Sequence, residues 1–273
     1  MSLLQAIQQM FLTHKYAIDP ALLGDNTAVA WSNLGFWHHS QHYGEAAEKL
    51  ADHLAQCIKL NSQDRVLDLG SGYGASLLYW QKNYQITEMT SVELQPLCVE
   101  KIQHYFNHSV AVYCDSYLNL KSLHFKKKFD AVICIDSAYH SPLNLFLEAV
   151  HSVLAPNARI GFHYLVLSQN WCNASLWKKY QYKCLLKTAD IELQNLTSID
   201  ELQSKLQQFN FKNVTVIDLS DAVLLGFAEY IEQNFMNHKN NLKSFKIKMT
   251  AKLCRKLFEE GLIQYVLVHA QCE

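Results

Sequence analysis

The sequence has no excess of charge of either sign. Its 273 residues contain 24 lysines and arginines against 25 aspartates and glutamates, which gives a formal net charge of −1. Proteins that bind the phosphate backbone of nucleic acids usually have a clear excess of basic residues, so nucleic acid is not expected as a partner. Hydrophobic residues make up 49% of the chain, enough for one large domain with a sizeable buried core.

Paired cysteines and long apolar runs are also missing. The eight cysteines include no CxxC pair, which favours reduced and mostly buried thiols over disulfides or a zinc site. Polar residues interrupt the segment from Met1 to Tyr16, so it does not predict an export signal, and no apolar stretch is long enough for a membrane span. We therefore expect a cytoplasmic protein without a membrane span.

Apolar strands alternate with helical segments through the middle of the chain. Helices are predicted after the glycines at Ala75, from Pro96, and from Ser141-Pro142. This alternation predicts an α/β fold with a parallel sheet covered on both faces. The predicted strands are Arg65–Leu69, Met89–Leu94, Val110–Cys114, Ala131–Ile135, Arg159–Leu167, Val214–Leu219 and Ile263–Ala270.

The remaining segments predict a cap. Residues 1–60 are interpreted as an N-terminal helical cap segment, and residues 61–273 as the core, with a helical insertion at about 221–260. That insertion is longer than a simple connection between strands. We expect it to cover the ligand-binding edge of the sheet together with residues 1–44.

A glycine-rich loop follows the first strand in the run Val66-Leu67-Asp68-Leu69-Gly70-Ser71-Gly72-Tyr73-Gly74. Such a loop lets a nucleotide-like ligand approach the backbone at the carboxyl ends of parallel strands. Taken alone it is ambiguous, because Gly70, Gly72 and Ala75 also satisfy a loose dinucleotide fingerprint.

Acidic residues distinguish a sulfonium cofactor from a dinucleotide as the ligand of this loop. Asp68 would place a carboxylate beside the pyrophosphate of a dinucleotide, whereas a sulfonium cofactor has no phosphate and carries positive charge. Glu93 ends the second strand, where it can accept hydrogen bonds from ribose hydroxyls, and its neighbour Leu94 can pack on the adenine. Asp115 and Ser116 follow the third strand, placed to accept from the adenine amino group. The pattern favours S-adenosylmethionine.

On these residues the chain resembles the class I S-adenosylmethionine-dependent methyltransferases over residues 30–270. The likeness is greatest to the small-molecule type that acts on sterols, tocopherols, sarcosine and natural-product sugars. It rests on the glycine motif, Asn33 to Trp37, Phe129 to His140 and Gly261 to Val268. In one departure, Asn157-Ala158 replaces the usual Gly-Gly turn.

The resemblance implies a Rossmann-like, mostly parallel seven-stranded sheet whose last strand is antiparallel and lies between the fifth and sixth. It implies methyl transfer from S-adenosylmethionine to a small molecule, with S-adenosylhomocysteine as the second product and no metal. By this resemblance, the residues that contact the cofactor are Asp68, Gly70, Gly72, Gly74, Glu93, Leu94, Asp115 and Asp136. The stretch containing Trp37 closes over the methionine moiety in such enzymes, so Trp37 joins this set.

Two histidines are the candidate catalytic residues. His140 follows the fourth strand, where several resembling enzymes have a general base. His163 lies near the end of the fifth strand, where some sugar methyltransferases have an acid that assists the base; a histidine cannot serve as that anionic partner. His163 could instead contact the substrate or relay a proton. The alternative without a catalytic role is packing in the core or at the rim of the site.

Other functions stay open. The departures at Asn157-Ala158 and His163 also fit a cofactor-binding protein without catalysis that serves as a partner or regulator. A methyltransferase acting on protein or RNA is the third alternative. The sequence leaves open the acceptor, the methylated atom (oxygen, nitrogen or carbon) and the oligomeric state.

Overall fold

The computed structural model describes residues 19–235 and 242–273, and these form one mixed sheet of eight strands flanked by helices. The strand order is β3-β2-β1-β4-β5-β8-β7, and the short β6 pairs with β5. The strands are β1 (Arg65–Leu69), β2 (Glu88–Glu93), β3 (Ala111–Cys114), β4 (Phe129–Cys134), β5 (Leu154–Leu167), β6 (Thr197–Ser198), β7 (Phe211–Asp218) and β8 (Ile263–Cys272).

Helices follow most strands, as the alternating pattern predicts. The α-helices of the described residues are α1 (Tyr43–Cys57), α2 (Ala75–Asn83), α3 (Pro96–Tyr105), α4 (Leu143–His151), α5 (Leu176–Lys187), α6 (Ile199–Gln208), α7 (Gly226–Asn234) and α8 (Leu242–Glu260). A single π turn, Asp221–Leu225, leads into α7. Within the described parts of the chain, no helix is both long and apolar enough to cross a membrane.

The centre of the sheet is parallel and fully buried. Val66, Leu67 and Leu69 of β1 have no exposed surface, because β1 lies between β2 and β4 with helices over both faces. At its start the guanidinium of Arg65 makes two hydrogen bonds to the carboxylate of Asp130, at 2.8 and 2.9 Å. This planar pair fixes the register between β1 and β4, and so the place where the glycine loop emerges.

The last strand confirms the predicted fold class. β8 is antiparallel to both of its neighbours, β5 and β7, and lies between them. Three details differ from the sequence prediction. α4 begins at Leu143, not at Pro142, because a 3₁₀ turn over Ala138–His140 precedes it. Helix α5 and the two-residue strand β6 were not predicted.

The N-terminal part of the described chain differs from the helical expectation. Apart from the 3₁₀ turn Pro20–Leu23, residues 19–42 contain no helix and form an irregular segment that leads into α1. Its turn is held by the buried Asp25, whose carboxylate accepts the backbone N–H groups of Thr27 and Trp31 at 3.0 and 2.8 Å. Residues 1–18, which the cap prediction included, lie outside the described residues.

A close contact joins this segment to the insertion. A Cβ atom on Gly226 would lie 2.3 Å from Cβ of Trp37, so the first turn of α7 packs directly on the indole. Trp37 also stacks on Tyr230, with 4.2 Å between ring centroids. The two parts predicted to form the cap are therefore in contact.

We expect Gly226→Ala to lower the free energy of unfolding by about 1–3 kcal/mol, because the added methyl overpacks this contact. Gly44→Ala in α1 is the matched control: nothing lies within 4 Å of the added Cβ. Urea unfolding of both variants measures the difference. Equal stability of the two would contradict the contact.

Candidate active site

A cavity of about 1630 Å³ opens at the carboxyl ends of the parallel strands. One wall is the sheet edge, where the loops after β1, β2, β3 and β4 meet. The facing wall comes from the N-terminal segment, the residues after α5, and α8. This is where ligands bind in open α/β sheets.

The glycine loop after β1 forms part of the cavity wall on the side of the sheet. Gly70 and Gly72 have positive φ angles, 71° and 55°, and both line the cavity. A Cβ on Gly70 would lie 2.8 Å from Oγ of Ser137, and one on Gly72 the same distance from Oγ of Ser32. Neither the backbone angle nor the space admits a side chain, so the loop brings bare backbone to the cavity.

Asp68 stands at the end of β1, behind the loop. It is 1% exposed, and its Oδ2 accepts the indole N–H of Trp80 at 2.7 Å. Burial raises the pKa of Asp68 to about 6, although the hydrogen bond from Trp80 acts in the opposite direction. Above that pH a negative charge sits in the cavity wall, which favours a cationic ligand.

Glu93 and Leu94 form the next part of the wall. One carboxylate oxygen of Glu93 accepts the N–H of Gly72 at 2.9 Å and the other that of Gln95 at 2.8 Å. Burial raises the pKa of Glu93, while these backbone hydrogen bonds lower it. Leu94 lines the cavity and is 60% exposed, so more than half of its apolar surface is open to a ligand.

Of the two residues predicted after the third strand, Asp115 and Ser116, only Ser116 lies in the cavity wall among the described residues. Ser116 lines the cavity and caps the turn after β3 by accepting the N–H of Leu118. The carboxylate of Asp115 accepts from its own neighbour Ser116 and from the amide of Asn119. Among the described residues, Asp115 is not part of the cavity wall. Gly74 is absent from the wall too, since it packs on Ile102.

Asp136 follows β4, and three different residues donate hydrogen bonds to its carboxylate. Its carboxylate accepts the N–H of Leu34 at 2.9 Å and the hydroxyls of Tyr139 and Tyr265 at 2.7 and 3.0 Å. Burial raises the pKa of Asp136, and these donors oppose the shift. It lines the cavity, but its hydrogen bonds go mainly to the N-terminal segment and β8.

His140 lies in the cavity wall as predicted. Its Nδ1 is 3.1 Å from the carbonyl oxygen of Asp190. A carbonyl oxygen only accepts, so Nδ1 carries the proton of this hydrogen bond and Nε2 is the basic nitrogen. Burial lowers the pKa of His140 below its usual value, which keeps the ring neutral at pH 7.

His163 is not at the cavity, which corrects its assignment as a catalytic candidate. It is fully buried, stacks on Tyr265 at 5.4 Å, and accepts the N–H of Asp136 through Nδ1. Burial lowers its pKa to about 3, so the ring stays neutral at pH 7. Tyr265 and Asp136, and not His163, face the ligand space.

Trp37 is likewise displaced from its predicted role as a cofactor contact. Its indole N–H donates to the carbonyl of Leu34 at 2.8 Å, and its ring packs between Gly226 and Tyr230. In the part of the chain that the structure describes, the cavity wall includes Trp31, Ser32, Asn33 and Leu34 but not Trp37. Trp37 anchors the segment whose preceding residues form the wall.

The sequence predicted that the insertion at about 221–260 covers this edge of the sheet, but it identified none of the side chains that line this part of the wall. Tyr265 comes from β8, and an apolar set comes from β5, the π turn and α8: Leu165, Leu224, Ile247, Leu253, Cys254 and Leu257. The apolar periodicity of α8 indicates a buried face but not what that face covers. Across residues 19–235 and 242–273, no group of three or more His, Cys, Asp or Glu side chains is placed to hold a metal ion.

The family follows from comparison with known proteins. Residues 36–216 match the family model described as a methyltransferase domain, and the chain belongs to this family. Among curated proteins, the erythromycin 3''-O-methyltransferase of Saccharopolyspora erythraea is 28% identical over 141 residues. That match covers 48% of this chain and 44% of the relative, so it spans less than half of either protein.

Solved structures share the fold over nearly the whole chain. A geranyl diphosphate C-methyltransferase from Streptomyces coelicolor, in complex with Mg²⁺, geranyl diphosphate and S-adenosyl-L-homocysteine, superposes with a TM-score of 0.66 at 15% identity, covering 95% of this chain and 91% of that one. A cyclopropane synthase from Mycobacterium tuberculosis gives 0.71 at 16% identity, covering 94% and 92%. The predicted methyltransferase family and Rossmann-like fold are confirmed.

The residues at the sheet edge fit the predicted cofactor, S-adenosylmethionine. Gly70 and Gly72 leave a cradle that a Cβ atom would fill. Asp68 and Glu93 supply negative charge for a cationic ligand without phosphate, and Leu94 supplies an uncovered apolar surface for a base. The loops after β1 and β4 contribute no lysine or arginine to the described cavity wall; its lysines, Lys101, Lys243 and Lys246, come from α3 and α8.

The raised pKa of Asp68 predicts a pH-dependent stability. Below about pH 4 the carboxyl is protonated in both states; between about pH 4 and 6 the unfolded chain releases the proton and the folded chain keeps it, so rising pH favours unfolding. We expect Asp68→Asn, which cannot ionise, to gain up to about 3 kcal/mol relative to wild type across this interval.

Urea unfolding from pH 4 to 7 measures this difference. Asp200→Asn, at an exposed position in the first turn of α6, is the matched control and should follow the wild-type profile. A constant offset between Asp68→Asn and wild type at every pH would show that Asp68 does not carry the shift.

Proposed function

We propose that the protein transfers a methyl group from S-adenosylmethionine to a small, partly apolar acceptor, with His140 as the general base when the acceptor is a hydroxyl. The observation that carries the proposal is the continuity of the cavity. It runs from the glycine loop and its buried acids to an apolar end bounded by Leu165, Leu224 and Leu253.

The two ends of the cavity suit different partners. Acidic groups and bare backbone at the sheet edge suit the cationic cofactor, whose sulfonium supplies an already activated methyl group when bound. The chain's own residues then have to align the acceptor and exclude water. The apolar side chains of β5 and α8 suit a hydrocarbon part of the acceptor, because burying that surface is favourable.

His140 is the residue of the wall best suited to take a proton. Its Nδ1–H donates to the carbonyl of Asp190, which fixes the tautomer and leaves Nε2 basic. The lowered pKa keeps the ring neutral, as a base requires. The methyltransferase that acts on erythromycin at a 3''-oxygen supports oxygen as one acceptor atom, and the geranyl diphosphate C-methyltransferase supports carbon as another.

Binding and transfer test the proposal in sequence. S-adenosylmethionine and S-adenosylhomocysteine should each raise the melting temperature of the purified protein, since both would bind only the folded state. Methyl-labelled S-adenosylmethionine with a cell extract should then label the small-molecule fraction. Absence of any stabilisation would refute the proposal. Stabilisation without transfer would indicate a binding protein, and label in the macromolecules would indicate a protein or RNA methyltransferase.

For a hydroxyl acceptor we expect His140→Ala to lower kcat by about 100- to 10,000-fold while the affinity for S-adenosylhomocysteine changes little. Wild-type activity should fall as the pH is lowered through the pKa of His140, which lies below 6.5. His104→Ala, an exposed histidine of the cavity rim, is the control and should keep its rate. Equal losses of affinity and turnover in His140→Ala would make the residue structural.

A further inference from the structure

Helix α5 presents its apolar side chains to solvent. Leu176 is 87% exposed, Trp177 67% and Tyr180 59%, whereas the buried residues of this helix are Tyr182 and Leu186. Because residues three and four apart share a helix face, Trp177, Tyr180 and Cys184 lie together on the exposed side. Trp177 and Tyr180 stack with 6.0 Å between centroids and 24° between planes.

The same helix carries charge of one sign. Its sequence, LWKKYQYKCLLK, contains four lysines and no acidic residue, in a chain whose net charge is −1. Lys183 and Lys187 are exposed, and their spacing places them on the face of Tyr180. Aromatic side chains that are apolar with one polar group, flanked by lysines, suit the interface between the hydrocarbon and the headgroups of a bilayer.

A second copy of the chain is the other natural occupant of an apolar face, and the charges disfavour it. Two-fold symmetry would place the face of α5 against the same face of its partner. The lysines of one copy would then meet those of the other without an acid on either helix. An anionic lipid surface instead offers opposite charge to the exposed Lys183 and Lys187.

From this combination we propose that the exposed face of α5 docks the protein on anionic phospholipid membranes, with Trp177 and Tyr180 entering the interface and Lys183 and Lys187 contacting headgroups. This is peripheral binding, compatible with described helices that do not span a membrane. The proposal does not depend on the proposed function, because docking needs neither cofactor nor acceptor.

The position of α5 links this surface to the cavity. The residues that directly follow the helix, Thr188 to Ile191, line the cavity wall. Near its other end, Lys178 pairs with Glu260 of α8 at 2.7 Å, and Tyr182 donates to the same carboxylate. A twelve-residue helix is about 18 Å long, so docking would hold the cavity wall within that distance of the lipid.

Co-sedimentation of the purified full chain with vesicles tests the proposal. We expect binding to vesicles containing phosphatidylglycerol to be at least about tenfold stronger than to phosphatidylcholine alone, and to weaken at high salt. Trp177→Ser with Tyr180→Ser, and separately Lys183→Glu with Lys187→Glu, should each reduce the binding by about tenfold or more. Both double variants should keep the wild-type melting temperature, since they alter exposed side chains.

Matched changes elsewhere provide the controls. Lys121→Glu with Lys126→Glu changes two exposed lysines outside α5, and Leu145→Ser changes an exposed apolar residue of α4. Neither should reduce vesicle binding by more than about twofold. The proposal is overturned if the wild type shows no preference for anionic vesicles, if the controls lose as much binding as the α5 variants, or if the Trp177 and Tyr180 changes abolish only a concentration-dependent dimer.

A fluorescent label locates the contact independently. Cys184 is an exposed thiol on the face of α5, and Cys114 is an exposed thiol at the end of β3. In chains that keep one of these and replace the other and Cys172 by serine, an environment-sensitive dye on Cys184 should shift to shorter wavelength with anionic vesicles. A dye on Cys114 should not shift. The opposite pattern would place the membrane contact elsewhere and overturn the assignment to α5.

Discussion

The carboxylate of Asp136 accepts hydrogen bonds from three parts of the chain that are far apart in sequence. The donors are the N–H of Leu34 in the N-terminal segment, the hydroxyl of Tyr139 after β4, and that of Tyr265 in β8. Burying an acid costs several kcal/mol unless such donors compensate, and hydrogen bonds to a charged group contribute about 1.5–3 kcal/mol each. This one group therefore ties the N-terminal segment, which is part of the cavity's facing wall, to the loop after β4 and to β8. Its own φ of 52° shows how sharply β4 turns to present it.

Behind Asp136 the network continues into the core and explains why a histidine occurs in β5. The backbone N–H of Asp136 points inward and needs an acceptor, because an unsatisfied buried donor is costly. Nδ1 of His163 accepts it at 3.4 Å and the ring stacks on Tyr265, while the proton lies on Nε2, which is buried and has no hydrogen-bond partner among the described residues. A neutral histidine suits this place, since a protonated ring could not accept. The residue that looked catalytic in the sequence supports the acid that organises the site.

The same residues show how far sequence reasoning reaches. The glycine loop, Asp68 and Glu93 lie together at one edge of the sheet, as expected, because the carboxyl ends of parallel strands meet there whatever the details of packing; their contacts with a cofactor stay a prediction. His163 and Trp37 were placed wrongly because the sequence does not show which neighbours cover a side chain. The side chains that stack on them, Tyr265 on His163 and Tyr230 on Trp37, lie about a hundred or more positions away in the sequence. Helix α5 was missed because its apolar residues lie on two faces, so they lack the single stripe that predicts a helix.

A near-zero net charge conceals a separation of charge within the fold. The acids Asp68, Glu93 and Asp136 line the cavity at the sheet edge, while the four lysines of α5 lie on a helix outside the sheet and are not among the described residues of the cavity wall. A cationic cofactor and the anionic membrane proposed as the partner of α5 would be attracted to different parts of one molecule, and each part would repel the other's ligand. Specificity of this kind needs no excess charge overall; it needs charges of opposite sign held apart by a rigid core.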